Sequence, residues 1–248
     1  MFDMFEQQKF LIEIELIWNQ ILSEVQTLIH QEPVLIGLYY SCILNQKDFS
    51  SALSYILSTK LGNEIVSTIS IRDIIDKIYS SNNLVILSAI KDIQAIYRRD
   101  PVIKCYSIPL LYLKEFHALQ SYRISHYLWN TGRRELAIYF QNRISVVFSV
   151  DIHPASVVGN GIILDHATGI VIGGITTIKN DTSSLSTLDD TGYVKKVNYP
   201  IINEEVIIGA GAKILGNIEV GSNVKINAGS IVLASVPPNS IVSGIFVK

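Results

Sequence analysis

Ile202-Asn-Glu-Glu-Val-Ile-Ile208-Gly-Ala-Gly-Ala-Lys-Ile214-Leu-Gly-Asn-Ile-Glu-Val220-Gly-Ser-Asn-Val-Lys-Ile226-Asn-Ala-Gly-Ser-Ile-Val232 places an aliphatic residue at every sixth position. Four places after each comes a mostly small or apolar residue: Val206, Ala212, Ile218, Val224, Ser230 and Val236. A period of six fits neither the 3.6-residue repeat of an α-helix nor simple strand alternation. It fits a solenoid of triangular coils in which each flat side sends one aliphatic residue into a central stack. Glycine or asparagine, as at Gly159, Gly209, Gly221 and Asn227, helps the corners turn. Upstream, the same rhythm runs through Ile152, Val158 and Leu164 and, after two extra residues, Ile172 and Ile178. Consecutive hexads of this kind predict a left-handed parallel β-helix.

The rhythm fails between about 184 and 201. Ser184 stands where a core aliphatic is expected, the segment is about two residues short, and Asp189-Asp190-Thr-Gly192 through Asn198-Tyr199-Pro200 has the composition of an excursion from the wall. A distorted coil is expected there, and loops on rigid scaffolds often carry function.

Ahead of the solenoid the spacing is helical. Ile12, Leu16, Ile17, Ile21, Val25 and Leu28 form one stripe, with Glu13, Glu15 and Gln20 off it. Asp48 reads as the entrance to a short helix and Ser70-Ile-Arg-Asp73 as an N-terminal cap. Further helices are predicted over 82–98, 110–130 and 133–146, with Pro101 and Pro109 as interruptions. Ser145-Val-Val-Phe-Ser-Val150 favours extended chain. The predicted architecture is α+β: a helical oligomerisation domain over 1–146 followed by a β-helix over 147–248.

The totals narrow the function classes. A formal charge of −2 gives no broad basic field for nucleic acid. The apolar runs fall far short of the ~20 residues that span a bilayer, and the N-terminus lacks the pattern of a secretory signal, so a cytoplasmic location is expected. Two cysteines, Cys42 and Cys105, read as free, buried thiols. The histidines show no obvious three-ligand zinc spacing, so no metal is expected.

Val150 to Gly169 holds Asp151, His153, Asp165 and His166 among the hexads. A reactive histidine there would sit on a stiff wall with a carboxylate available to orient it. The combination of Asp151-Ile-His153-Pro, Leu164-Asp165-His166-Ala-Thr-Gly-Ile-Val-Ile-Gly173 and a helical first half resembles bacterial serine O-acetyltransferase. Ser51-Ala-Leu-Ser-Tyr-Ile-Leu57, Asp92-Ile-Gln-Ala95, Arg99-Asp100-Pro101, Tyr112 to Arg123, Ile208 to Gly221 and Val236-Pro-Pro238 extend the resemblance over nearly the whole chain.

That resemblance implies acetyl transfer from acetyl-CoA, a co-substrate rather than a bound cofactor, to the hydroxyl of L-serine. A protonated hydroxyl is a poor nucleophile, so a general base must take its proton during attack on the thioester. His166 matches the family's base and Asp151 the carboxylate that orients it. His153 reads as a structural neighbour of the pair. Asp100 and Asp165 match serine-binding positions, and Gly209, Ala210, Lys225 and Ala228 match the stretch along CoA. The resemblance further implies a trimer with sites between adjacent solenoids, and two trimers joined into a hexamer. The short tail after Val236-Pro-Pro238 gives no expectation of a complex with O-acetylserine sulfhydrylase.

Four positions depart from the family pattern. Asp189 and Asp190 replace two glycines at the acetyl-CoA site, Asn198 replaces an arginine that meets serine's carboxylate, and Tyr199 replaces a second histidine. Two other readings follow from them: a non-catalytic scaffold, or an acyltransferase with a changed acceptor.

Overall fold

The computed structural model describes residues 4–184, 187–189 and 199–247. The chain forms two compact units, Met1–Leu113 and Lys114–Lys248. The predicted boundary near 147 marks a change of secondary structure, whereas this grouping places two helices with the solenoid.

The first unit is helical: α1 (Met4–Gln31), α2 (Ile36–Tyr39), α3 (Phe49–Leu61), α4 (Thr68–Ser81), α5 (Asn83–Arg99) and α6 (Ser107–Leu111). Its core comes from Ile17, Ile21 and Val25 on α1, Leu53 and Leu57 on α3, Ile71 and Ile75 on α4, and Ile90 and Ile93 on α5. The predicted α1 stripe is therefore only partly inward, because Ile12 and Leu16 are exposed. Glu13 accepts from Lys91 Nζ at 3.1 Å and Gln94 Nε2 at 2.7 Å, tying α1 to α5. Asp48 caps α3 by accepting from Ser51 N at 2.8 Å. The α4 cap is Ser67, which accepts from Ser70 N at 3.2 Å, so the expected cap at Ser70 lies one turn too late. Cys42 is buried but Cys105 is only partly so, and burial pushes both thiols up, away from reactive thiolate.

The second unit opens with α7 (Lys114–Asn130) and α8 (Arg134–Phe148). The expected single helix over 110–130 is broken between Leu111 and Lys114. The extended reading of 145–150 is also corrected: α8 runs to Phe148, because Ile144 and Phe148, one turn apart, are both buried. Packing thus overrides the β propensity of Val146 and Val147. Ser149 then turns the chain in the left-handed conformation, with φ 59°.

The coils follow. The first has β1 (Val150–Ile152), β2 (Val157–Val158) and β3 (Ile163–Leu164). The second has β4 (Ile170–Ile172), β5 (Thr177–Ile178) and β6 (Ser183–Ser184). The third has β7 (Thr187–Asp189), β8 (Ile201–Ile202) and β9 (Ile207–Ile208). The fourth has β10 (Lys213–Leu215), β11 (Glu219–Val220) and β12 (Lys225–Ile226), and β13 (Ile231–Val232), β14 (Ile241–Val242) and β15 (Ile245–Phe246) complete the stack. They form three parallel sheets, ordered β1-β4-β7-β10-β13-β15, β2-β5-β8-β11 and β3-β6-β9-β12-β14. Ile202, Ile208, Ile214, Val220, Ile226 and Val232 are all buried, so the hexad aliphatics are the stack.

One corner repeats as a left-handed turn at Asp181, Glu205, Asn223 and Asn239, with φ of 58–59°. Each of these residues donates its amide to a carbonyl of the coil before: Asn160, Asn180, Glu204 and Ser222. The expected distortion at Ser184 is absent. Ser183 and Ser184 keep register with Ile163–Leu164 on one side and Ile207–Ile208 on the other, and Ser184 is buried in the stack. Backbone ladders continuous on both sides hold the coil even where the inward side chain is small.

The first coil has no coil before it, so its carbonyls need other donors. Helix α7 supplies them. Arg123 donates to Val158 O at 3.2 Å and to Gly159 O at 2.7 Å, His126 Nδ1 to Pro154 O at 2.8 Å, and Tyr122 Oη to Ser156 O. Burial pushes the Tyr122 phenol up to about 12, which keeps it a donor. Helix α7 also buries Ser121 and Ser125, whose hydroxyls donate to helix carbonyls, Ser121 to His117 O and Ser125 to Ala137 O of α8, each at 2.7 Å. Among the described residues no helix is long and apolar enough to cross a membrane.

Candidate functional site

Strand β1 alternates: Val150 and Ile152 point into the stack, and Asp151 lies on the outward face. Its neighbour across the ladder is Val171 on β4. Gln141 Nε2, from α8, donates to Asp151 Oδ1 at 2.7 Å. His153, just past the strand, has a set tautomer: Ala155 N–H donates to its Nδ1 at 3.1 Å, so Nε2 carries the proton of the neutral ring. Trp129 meets that ring edge-on, with centroids 5.2 Å apart, and the Arg134 guanidinium lies 4.9 Å over the Trp129 ring. Burial draws the His153 pKa down, and the nearby charge of Asp151 opposes this.

His166 occupies the corner between β3 and β4 with φ 49°, a left-handed conformation that few non-glycine residues adopt. Its side chain is 90% exposed, and Asp165 Oδ1 lies 3.8 Å from its Nε2. The corner is pinned from both ends. Ala167 is fully buried, Gly169 N donates to Ser149 O at 2.8 Å, and Lys114 Nζ hydrogen-bonds Thr168 Oγ1. The bond to Ser149 lays the corner beside the start of β1, the strand that carries Asp151. The predicted trio Asp151, Asp165 and His166 thus belongs to two neighbouring coils of one unit. Asp100 is in the first unit, at the C-terminal end of α5, where its Oδ1 accepts from Val102 N at 2.8 Å.

Gly209, Ala210 and Ala228 lie together at one corner of successive coils. A Cβ on Gly209 would come within 2.5 Å of Ala228 N, so this glycine is required by the approach of the next coil. Gly229 N donates to Ala210 O at 2.8 Å. Ala210, Ala228 and Lys225 are exposed, which leaves an open strip of small residues with one cation on the adjoining sheet face.

At the end of the Asp151 sheet, Gly173 separates His153 on the first coil from Asp189 on the third, as the pairings of Ile152 and Leu188 with Ile172 require. The space a Gly173 side chain would fill is occupied: a Cβ there would lie 2.3 Å from Asp189 Oδ1 and 2.6 Å from Tyr199 Cε1. Two of the four positions expected to depart from the family pattern, Asp189 and Tyr199, therefore meet over one glycine. Asp190 and Asn198 lie outside the described residues.

Residues 17–121 match the family model described as serine acetyltransferase, N-terminal. The serine acetyltransferase of Escherichia coli strain K12 is 52% identical over 235 residues, covering 94% of this chain and 86% of the relative. The chain belongs to the serine acetyltransferase family. A serine acetyltransferase solved as a complex with CoA superimposes with a TM-score of 0.89 at 50% identity, covering 93% of this chain and 97% of that one. The Neisseria gonorrhoeae serine acetyltransferase solved in complex with serine gives 0.88 at 42% identity, covering 92% and 95%.

For a serine acetyltransferase, the sequence pointed to Asp151 and His166 but not to Gln141, Trp129 or Lys114. Gln141 precedes Asp151 by ten residues on an ordinary helix, and nothing in its spacing marks it as a partner.

Proposed function

We propose that the chain transfers acetyl from acetyl-CoA to the hydroxyl of L-serine, yielding O-acetylserine and CoA, a step toward cysteine. His166 takes the hydroxyl proton as oxygen attacks the thioester carbonyl. It returns that proton to the sulfur as the C–S bond breaks, so charge is handled within the site. Asp151 orients the imidazole and stabilises its protonated form, as the acid of a triad does. Asp165, beside His166 Nε2, is placed to meet an ammonium group while the adjoining hydroxyl approaches that nitrogen. Asp100 is assigned to the same substrate. Gly209, Ala210, Lys225 and Ala228 are assigned to CoA: the exposed strip of small residues supports close approach of a pantetheine arm, and Lys225 a phosphate. The reaction fits a protein of the cytoplasm.

A catalytic side chain that is 90% exposed supports a site completed by a second solenoid of a trimer; the pairing of two trimers into a hexamer rests on the family resemblance alone. The observation that carries the reading is His166, held in a left-handed corner beside the Asp151 strand, in a chain 52% identical to a serine acetyltransferase. The test is thiol release from acetyl-CoA with and without serine. Turnover well above that of a His166→Ala control is expected, and equal rates would sink the proposal.

A second reading rests on Asp189 and Tyr199 over Gly173, which bring a carboxylate and a phenol to the wall. It is acetyl transfer to a different hydroxyl or amine acceptor. A panel of acceptors in which serine is clearly preferred would exclude it.

A further inference from the structure

We infer that Gln141 is a positioning residue for the acetyl transfer, holding one oxygen of Asp151 so that the other is presented to His166. The inference rests on the proposed roles of Asp151 and His166. Gln141 Nε2 donates to Asp151 Oδ1 at 2.7 Å, and both groups are partly buried. Each is mounted on a rigid element: Asp151 stands between buried Val150 and Ile152, and Gln141 stands on α8 between buried Phe140 and Ile144. A carboxylate otherwise turns freely about its last bond, and a donor fixed from a separate element removes that freedom. Among the described residues, the second oxygen of Asp151 has no hydrogen-bonding protein partner.

The identity of the donor matters. A cation at 141 would pair with Asp151 and compete with an imidazolium for its charge, and a carboxylate would repel it. A neutral amide holds the oxygen and leaves the charge available. Few other charges face the pair. Val171 lies opposite Asp151 on β4, which carries no titratable residue. His153, just past β1, is a titratable group that feels the carboxylate. On α7, Arg123 and His126 are bonded to carbonyls of the first coil. On α8, Tyr139 and Arg143 flank Gln141 in sequence.

The test compares Gln141→Met, which removes the donor, with Gln141→Glu, which keeps the shape and reverses the polarity. Both are made in the full chain and assayed with acetyl-CoA and serine from about pH 5.5 to 8.5. Gln141→Met should lower kcat about tenfold across that range, with KM for both substrates held within about twofold. Gln141→Glu should show a deficit that narrows as pH falls, because the protonated carboxyl again supplies an O–H donor, and widens as pH rises. Unfolding midpoints measured alongside identify a simple loss of fold, which would shift stability without the pH-dependent divergence of the two variants. Equal, pH-independent deficits, or a rise in KM at constant kcat, would overturn the inference. Asp151→Asn, run in parallel, separates the two layers: if it leaves kcat intact, the parent assignment has failed. If it impairs kcat while Gln141→Met does not, only the role of Gln141 has failed. Combining Gln141→Met with Asp151→Asn should cost no more than Asp151→Asn alone, and an additive loss would also overturn the inference.

Discussion

Two ends of one wall are built in opposite ways. Around Asp151 and His166, neighbours outside the strand hold the carboxylate itself, through Gln141, and the corner whose exposed imidazole is His166, through Ser149 and Lys114. Around Gly173, position is set by an absent side chain, whose space Asp189 and Tyr199 fill. The first construction fixes groups by added contacts and so specifies geometry tightly. The second specifies only that nothing larger than a hydrogen atom stands there, so residues that lean over the glycine can change together while the wall beneath stays the same.

The largest expected effect breaks the first construction. His166→Ala should lower kcat by about 10²–10⁴-fold, the range a general base contributes, and Asp151→Asn by up to about 10⁴-fold, as for the acid of a triad, because the imidazole loses its orientation and the stabilisation of its protonated form. Steady-state rates of thiol release with serine check both. An Asp151→Asn enzyme at full rate would show that the wall holds Asp151 for packing alone.

A smaller effect breaks the second construction. Gly173→Ala places a Cβ 2.3 Å from Asp189 Oδ1 and 2.6 Å from the Tyr199 ring, so both side chains must move. Overpacking of this kind costs about 1–3 kcal/mol. Asp189→Gly added to the same chain should recover part of that loss, because the nearest obstacle is gone while the Tyr199 ring still has to shift, whereas Asp189→Gly alone should change stability little. Thermal unfolding of the three variants measures it. A Gly173→Ala protein as stable as the parent would mean that the wall yields here, and the contrast between the two ends would fall.

Much of this was legible in the residues. Six-residue spacing identified the stack because each coil repeats one physical requirement, an inward aliphatic per side, whereas Asp151 and His166 were singled out by the family resemblance of the motifs around them. Ser184 misled because a hexad pattern weighs the inward side chain, while the register of its coil is held by backbone ladders on both sides. The run 145–150 misled because intrinsic propensity is weaker than the burial of Ile144 and Phe148 on one helical face. Gln141 and Trp129 had no signal, and Tyr122 and Arg123 stood in a matching motif that did not reveal their bonds to the first coil. Their roles depend on which helix lies against the first coil, a tertiary fact that local spacing does not contain.

His153 offers the smallest effect and the finest test, since it lies between the two ends, two residues from Asp151 and with its ring against Gly174. Burial lowers its folded pKa, while an unfolded chain protonates histidine near about pH 6.5. As pH falls through that value the unfolded state binds more protons than the folded one, so stability should decline. The decline should level off once pH passes below the folded pKa. His153→Asn keeps an acceptor for Ala155 N–H but does not titrate, so its unfolding midpoint should fall less steeply between about pH 7 and 5. The charge of Asp151 opposes the shift, so Asp151→Asn should steepen the same limb in a protein that retains His153. A steeper limb there would tie His153 to the contact-built end of the wall. An unchanged limb, with His153→Asn still flattening it, would leave burial against Trp129 and Gly174 as the whole cause.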